Sequence, residues 1–291
     1  MAGAGSTGRR TRPRSPTRHV TTMCALLVFS RTPPTLTRMG GATVAVGPGL
    51  AVALVLLVGV AVGTAVLARF AISRALLTAA VRAVVQLALV AAVIVAVVRS
   101  WPLTVVFVVL MLATASWTSA RRMTRDRTGL LAAVAIAAGV APVLAVALVS
   151  GTVPLRGIAV VPVAGIVIGG AMTATSLGGR RALDELEARR DEYEGALALG
   201  GRRRDAAMLV CRPSATQALL PPLDQTRTVG LVTLPGAFVG VLIGSGDPVQ
   251  AAAAQLLVLI GLLAAETVAV TVVLELVARG TIRRPVPPST R

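Results

Sequence analysis

Several apolar runs in this 291-residue chain exceed 17 residues without a single charge. A water-soluble core does not need runs of that length, and a bilayer does: a spanning helix takes about 20 apolar residues. Charged residues make up 14% of the chain, against about 25% in soluble domains. Seven hydrophobic segments follow, at 43–68, 75–98, 103–120, 129–150, 157–177, 228–244 and 250–278. The expected fold is all-α, a polytopic integral membrane protein with about seven transmembrane helices.

The residue inventory removes whole classes of chemistry. All 29 basic residues are arginine, so a phosphate-binding loop with its lysine is absent, and so is Schiff-base chemistry. The single histidine, His19, excludes Ser-His-Asp and Cys-His catalysis. Cys24 and Cys211 lack metal-ligand spacing and are expected to stay free. The formal net charge of +17 does not argue for nucleic acid, because aromatics are only 2% and stacking platforms are nearly missing. Arginine-rich loops in a membrane protein record orientation and attract anionic lipid.

Loop charge then orients the spans. Arg69 and Arg74 follow the first segment; Arg121, Arg122, Arg125 and Arg127 follow the third. Residues 178–227 hold nine arginines and residues 279–291 hold four. The alternate loops hold only Arg99, Arg156 and, near Asp247, none. By the positive-inside rule the first set is cytoplasmic. The chain is thus expected in the plasma (cytoplasmic) membrane as a multi-pass protein, N-terminus outside and C-terminus cytoplasmic. The transmembrane domain covers 43–278, with a polar segment at 178–227 and a cytoplasmic tail at 279–291. Residues 1–42 carry seven arginines and no acid, and read as a disordered tail or a mis-assigned start. Their charge contradicts an outside N-terminus, and a start at Met39 removes every offending arginine.

The polar segment opens with Gly178–Asp205, where seven arginines meet seven acids and Leu183, Leu186, Tyr193 and Leu197 recur near helical spacing. That pattern describes an amphipathic helix laced with opposite charges. On pattern alone it reads as a solvated surface helix. Within it, Glu194-Gly195-Ala196-Leu197-Ala198-Leu199-Gly200 resembles the E-A-A-x-x-x-G signature of ABC-transporter membrane subunits. Gly195 stands where an alanine is usual, and the downstream part is met loosely at Val210–Pro213. A helix without a lipid or core partner needs a protein groove for its apolar face. Gly200 can end it by adopting positive φ.

The resemblance extends through Thr173–Arg181, Leu183-Asp184-Glu185-Leu186, Gly230–Ala237, Asp247-Pro248, Ala251-Ala252 and Gln255, and back to Arg82–Leu87. Over about residues 43–278 the chain looks like the family of bacterial ABC-transporter permeases that includes the iron-export permease, with plant relatives linked to aluminium tolerance. The resemblance implies a cytoplasmic coupling helix, with Leu183, Leu186, Glu194, Ala196, Leu197 and Gly200 as ATPase-coupling residues. It implies an ABC ATP-binding subunit as partner, a permease homodimer in the bilayer, and export of a metal such as iron. The chain itself would hold no cofactor; ATP and Mg would be bound by the partner, which would carry the hydrolysis. The resemblance implies Gly-Met near Gly169-Gly170 and a methionine two after the Leu-Pro-Gly of the sixth segment; Ala171-Met172 and Phe238 occupy that neighbourhood, which weakens a soft-metal role.

Inside the spans, Pro235-Gly236 interrupts the middle of the sixth segment, as a packing kink or as a broken helix beside a substrate path. Gly236, Gly240 and Gly244 form a ridge for close helix contact, within one subunit or across a dimer; Gly165 and Gly169 repeat it on the fifth segment. Arg82 and Gln86 share one helix face, and Gln255 and Glu266 share another. These four, with Pro235 and Gly236, are the candidate translocation pathway. Equally, Arg82 can snorkel and the glutamines can tie helices together. Glu266 is the best candidate for a functional carboxylate; no metal ligand set can be named. Glu275 is expected to reach headgroup water, and Trp101 and Trp117 to anchor at the interfaces. The competing reading is an ATPase-independent, ion-coupled secondary transporter or channel that uses Glu266; a third is a membrane scaffold. The Met39 start has a direct check. Mass spectrometry of the mature N-terminus is expected to find no peptide covering Ser6–Arg38.

Overall fold

Bilayer length and helix-ending residues together set the elements. The structure, a computed structural model, describes residues 47–124 and 126–284. The expected tail or mis-assigned start at 1–42, with His19, Cys24 and Met39, lies outside the described residues, as does most of the expected cytoplasmic tail. The helices are α1 (Pro48–Leu67), α2 (Ser73–Arg99), α3 (Trp101–Met123), α4 (Ala132–Val149), α5 (Gly157–Ala188), α6 (Arg190–Ala198), α7 (Arg203–Thr216), α8 (Leu220–Thr228), α9 (Gly236–Ser245) and α10 (Pro248–Ala278). Short 3-10 turns precede α4 and α8, at Arg127–Leu131 and Gln217–Leu219. Proline stands in the first turn of α1, α3, α8 and α10, where its missing N–H costs no helical bond. Asp247 caps α10 by accepting from the amides of Val249 (2.8 Å) and Gln250 (3.3 Å).

Six helices are long and apolar enough to cross a membrane: α1, α2, α3, α4 with its leading turn, α5 and α10. The sixth expected span differs. Its helical part, α9, has only ten residues, or about 15 Å against a hydrocarbon thickness of about 30 Å. Pro235 is the residue before α9 and not a kink within it. Residues 229–235 instead form a tight non-helical turn, in which the Thr228 carbonyl accepts from Val232 (2.9 Å) and Gly230 donates to Thr233 (2.9 Å). Proline cannot continue a helix begun before it, so α9 starts afresh at Gly236.

α5 and α10 form the centre of the bundle, with α3 and α4 packed beside them and the α1–α2 hairpin at the periphery. Their contacts show the directions. Gly170 meets Leu262 and Glu266, Gly178 meets Val270, and Gly179 meets Val273, so α5 and α10 run parallel. α3 runs the same way, with Gly165 against Met111 and Gly179 against Met123. α4 runs opposite, with Gly139 against Ala265 and Gly261 against Val143. The middle core is Ala115, Ile136, Val140, Ala164, Val167, Ile168, Ala171, Ala265 and Ala269. Lipid supplies no hydrophobic drive between spans, so close contact of small residues has to hold them.

The glycines that permit this contact are not the expected ridge. A Cβ on Gly139 would strike the carbonyl oxygen of Ala265, and one on Gly170 would strike Leu262 and Glu266. By contrast, a Cβ at Gly236, Gly240, Gly244 or Gly169 would meet nothing within 4 Å in this chain. Gly165 does pack: a Cβ there would sit 3.0 Å from the Met111 methyl.

The single amphipathic helix expected over Gly178–Asp205 is three pieces. α5 runs on unbroken to Ala188, α6 is separate, and α7 begins at Arg203. The end of α5, the end of α10, α7 and the start of α4 enclose a second core of Met123, Ala132, Ala135, Ala182, Leu183, Cys211, Ala215, Val273, Leu274 and Val277. Ile282, beyond α10, is 1% exposed in that core. Residues 279–284 therefore pack back onto the bundle, and the Thr124 hydroxyl donates to the Arg283 carbonyl at 3.1 Å.

Gly139→Ala is expected to destabilise the folded protein by about 1–3 kcal/mol through overpacking. Gly240→Ala is expected to change stability far less. Thermal unfolding of both variants in one detergent, as monomers, checks the order.

Candidate functional site

Two regions carry the candidate residues: the arginine-rich end of the bundle and the polar side chains within the spans. At the arginine-rich end the chain leaves α5 through Arg189, forms α6, and returns along α7. Arg190 and Glu194, four apart on α6, are joined at 2.7 Å, and Arg189 is bonded to Glu192. The Arg189 guanidinium holds the Glu192 carboxyl below the usual carboxylate range.

α6 ends in a Schellman motif. Gly201 donates to the Ala196 carbonyl (3.0 Å) and Gly200 to that of Leu197 (2.9 Å), while Gly200 takes φ +86°. The expected positive φ at Gly200 is present. A Cβ on Gly201 would sit 2.7 Å from the Ala196 oxygen, so both glycines are needed for the turn.

The candidate coupling residues then separate by environment. Leu183 is buried in the core, and Leu186 is half-buried against it. Glu194 is exposed, Ala196 and Leu197 are half-buried, and Gly200 is exposed. Leu199 is 92% exposed, the most exposed large apolar side chain in the described residues. Sequence spacing alone does not single it out, although it lies inside the signature.

α7 is fastened to the bundle on its other side. Cys211 is fully buried and donates to the Ala182 carbonyl at 3.3 Å. Ser214 donates to Glu185 at 2.8 Å. Arg204 grips Glu275 of α10 with two bonds, Nε to Oε1 at 2.7 Å and Nη2 to Oε2 at 2.8 Å. Arg279 adds a third, at 2.6 Å. Glu275 thus holds two arginines and does not simply reach headgroup water. The link to Arg204 spans 71 residues of sequence, and only the Glu275–Arg279 spacing is visible as an i,i+4 pair. Arg284 bonds to Asp184 (2.5 Å) and Glu187 (3.2 Å), tying the segment after α10 to α5.

Within the spans the four candidate polar residues do not converge. Arg82 and Gln86 lie on the exposed face of α2, in an open, mostly apolar groove with Leu77, Thr78, Val81 and Val85. Gln255 and Glu266 are buried on α10, at 5% and 6% exposure. The Gln255 side chain supports α9. Its Oε1 accepts from the Phe238 amide at 3.1 Å, satisfying the first turn of that helix just after Pro235 and Gly236. Glu266 lies against Gly170 with no hydrogen-bond or ion-pair partner among the described residues. Among the described residues Thr175 Oγ1 alone is a fully buried side-chain oxygen or nitrogen without a partner, whereas Ser176 and Ser119 bond to each other at 3.0 Å. Among the described residues no three His, Cys, Asp or Glu side chains gather as a metal site. Trp117, exposed near the end of α3, carries the Arg121 guanidinium 4.7 Å from its ring centre.

A bundle of membrane-length helices, with a folded polar hairpin at one end, defines a multi-pass α-helical membrane protein. The chain belongs to the UPF0014 family, described as "Uncharacterised protein family (UPF0014)", whose model matches residues 49–282. It is 34% identical over 159 residues to the "UPF0014 membrane protein STAR2" of rice, covering 54% of this chain and 56% of that protein. It is 35% identical over 108 residues to "Protein ALUMINUM SENSITIVE 3" of Arabidopsis thaliana, covering 37% and 40%. To the "Probable iron export permease protein FetB" of Escherichia coli K12 it is 31% identical over 216 residues, covering 72% and 82%. The chain thus spans about half the length of the two plant relatives and most of the bacterial one. No solved structure matches it.

The buried cysteine offers a direct check on the hairpin's docking. Burial, with the nearby Glu185 carboxylate, pushes the Cys211 thiol up to about 11. The thiol form therefore persists through neutral and mildly alkaline pH, and the reactive thiolate forms only above that value. In a Cys24→Ser background, maleimide is expected to leave Cys211 unmodified at pH 7 to 9 in the folded protein and to modify it after denaturation.

Proposed function

We propose that this chain is the membrane-spanning permease subunit of an ABC transporter. It would act as a pair with two copies of a separate ATP-binding subunit, which binds ATP and Mg and carries out hydrolysis. One observation carries the reading: α6, with the sequence Glu194–Gly200, stands at the end of the bundle with Leu199 almost fully exposed and its end fixed by the Gly200-Gly201 turn. An exposed apolar residue on a short, firmly capped helix suits insertion into a groove on a partner. Small Ala196 and Gly200 let the partner approach closely, and Glu194 offers a carboxylate to it.

The orientation proposed from loop charge places this hairpin in the cytoplasm, where an ATP-binding subunit would meet it. Nucleotide-driven closure of the partner would displace α6 and re-orient the spans, giving alternating access. The likeness to FetB supports a metal such as iron as the exported cargo. Leu183 and Leu186 would support the hairpin from within, and Leu199 would take the place in the partner's groove that their spacing suggested for them. Arg82, Gln86, Gln255 and Glu266 remain the proposed pathway residues, on two separate helices that a second copy would have to bring into register.

A second reading rests on Glu266, a buried carboxyl without a partner among the described residues, which suits a proton or ion site in a transporter that needs no ATPase. Copurification separates the two. With a C-terminal tag and mild extraction from native membrane, an ATP-binding subunit is expected to accompany the wild-type chain. Glu194→Arg and Leu197→Asp are each expected to lower its recovery by about tenfold or more, as disruption at the centre of an interface does. An intact chain that never brings such a subunit would favour the ion-coupled reading, and dependence of transport on a proton gradient would then be tested.

A further inference from the structure

The hairpin and the spans meet through two kinds of contact. The face that α7 turns to the bundle is small and smooth, made of Ala206, Ala207, Val210, Cys211 and Ala215, all buried. Such a face gives burial but little register, and packed helices with smooth faces slide past one another at low cost. Directional ties fix the register instead. Towards α5 they are Ser214 to Glu185 and Cys211 to Ala182. Towards α10, among the described residues, the tie is Arg204 to Glu275, with both carboxylate oxygens engaged at 2.7 and 2.8 Å. A two-pronged guanidinium–carboxylate pair fixes orientation as well as distance.

The position of this pair matters. Arg204 stands second in α7, three residues after the Gly200-Gly201 turn that ends α6. Glu275 stands near the end of α10, and its side chain is 24% exposed against 49% for Arg204. The same helix carries Glu266 and, about 30 Å from Glu275 along the axis, Gln255. Gln255 holds the first turn of α9. A continuous rigid route therefore runs from α6 through Arg204 and Glu275, along α10, to the half-length helix on the other side of the bundle.

We infer that Glu275 is the positioning residue that couples the α6–α7 hairpin to α10, so that displacement of α6 moves α10 and with it the Gln255–α9 contact. This rests on the permease reading, in which α6 is the element the partner moves. Arg279 plays no part in the transmission: it belongs to α10's own end, so its bond to Glu275 moves with the helix.

The test uses the full chain with its copurified ATP-binding subunit in lipid nanodiscs. A reporter Ala253→Cys near the far end of α10, in a Cys24→Ser background, is labelled with maleimide without nucleotide and after trapping with ATP and vanadate. The wild-type background is expected to show a nucleotide-dependent labelling ratio. Glu275→Gln and Arg204→Gln are each expected to reduce that ratio by about fivefold or more, the lower range of coupling between distant sites. The ATP-binding subunit is expected to be retained in both. The double variant is expected to be no worse than either single one, and Arg279→Gln is expected to keep the wild-type ratio. Retained subunit with an undiminished ratio in Glu275→Gln and Arg204→Gln overturns the inference. So does a wild-type ratio of one in an intact complex. Failure of the wild type to bring any ATP-binding subunit defeats the permease reading itself.

Discussion

The bundle depends on how closely α5 and α10 approach. Both are long and parallel, and they touch through Gly170, Ala174 and Gly178 on one side and Leu262, Glu266 and Val270 on the other. Aromatics are 2% of the sequence and the central core is mostly alanine and valine. With such small side chains, contact area comes from short interaxial distance, not from large interdigitating groups. Gly139 does the same for α4, letting its backbone reach the carbonyl of Ala265. Everything else is hung on this pair: α3 and α4 flank it within the membrane-length region, and α7 closes over the segments of α5 and α10 that run on beyond it.

Much of this was legible because the bilayer imposes a length that few other constraints do. Six of the seven apolar segments became helices of sufficient length, and the family model matches residues 49–282, most of the stretch over which the family resemblance was read. The errors have physical causes. The fifth segment was expected to end at 177, yet α5 continues to Ala188 because Ala182 and Leu183 are covered by α7 and α10. An i,i+4 pair between Arg180 and Asp184 at 3.8 Å decorates the outer face of that continuation. The glycine ridge of α9, open to contact within one subunit or across a dimer, meets nothing within 4 Å in this chain. Within the chain the close approaches fall instead at Gly139 and at Gly170, the latter spaced by four from Ala174 and Gly178 on α5. The Arg204–Glu275 pair was out of reach for a different reason: no local rule connects residues 71 apart.

The polar residues differ in whether they find partners. Gln255 is accounted for by the Phe238 amide and Ser176 by Ser119. Glu275 is accounted for twice over. Glu266, 6% exposed, has no hydrogen-bond partner among the described residues. The candidate residues thus lie along a line and not around a pocket: the capped α6, the Arg204–Glu275 pair behind it, and Glu266 further along α10.

The shared direction of α3, α5 and α10 also has an electrostatic consequence. Three helix C-termini point to the arginine-rich end, where only the N-terminus of α4 opposes them within the central bundle. At about half an elementary charge per terminus, the backbone places a net of roughly one negative charge there. Arg121 and Arg122 close the last turn of α3, and Arg279 follows the last residue of α10. Part of what the sequence displays as an excess of positive charge is therefore answered by the peptide dipoles of the fold. The field that a lipid headgroup meets at this end is weaker than a count of arginines implies.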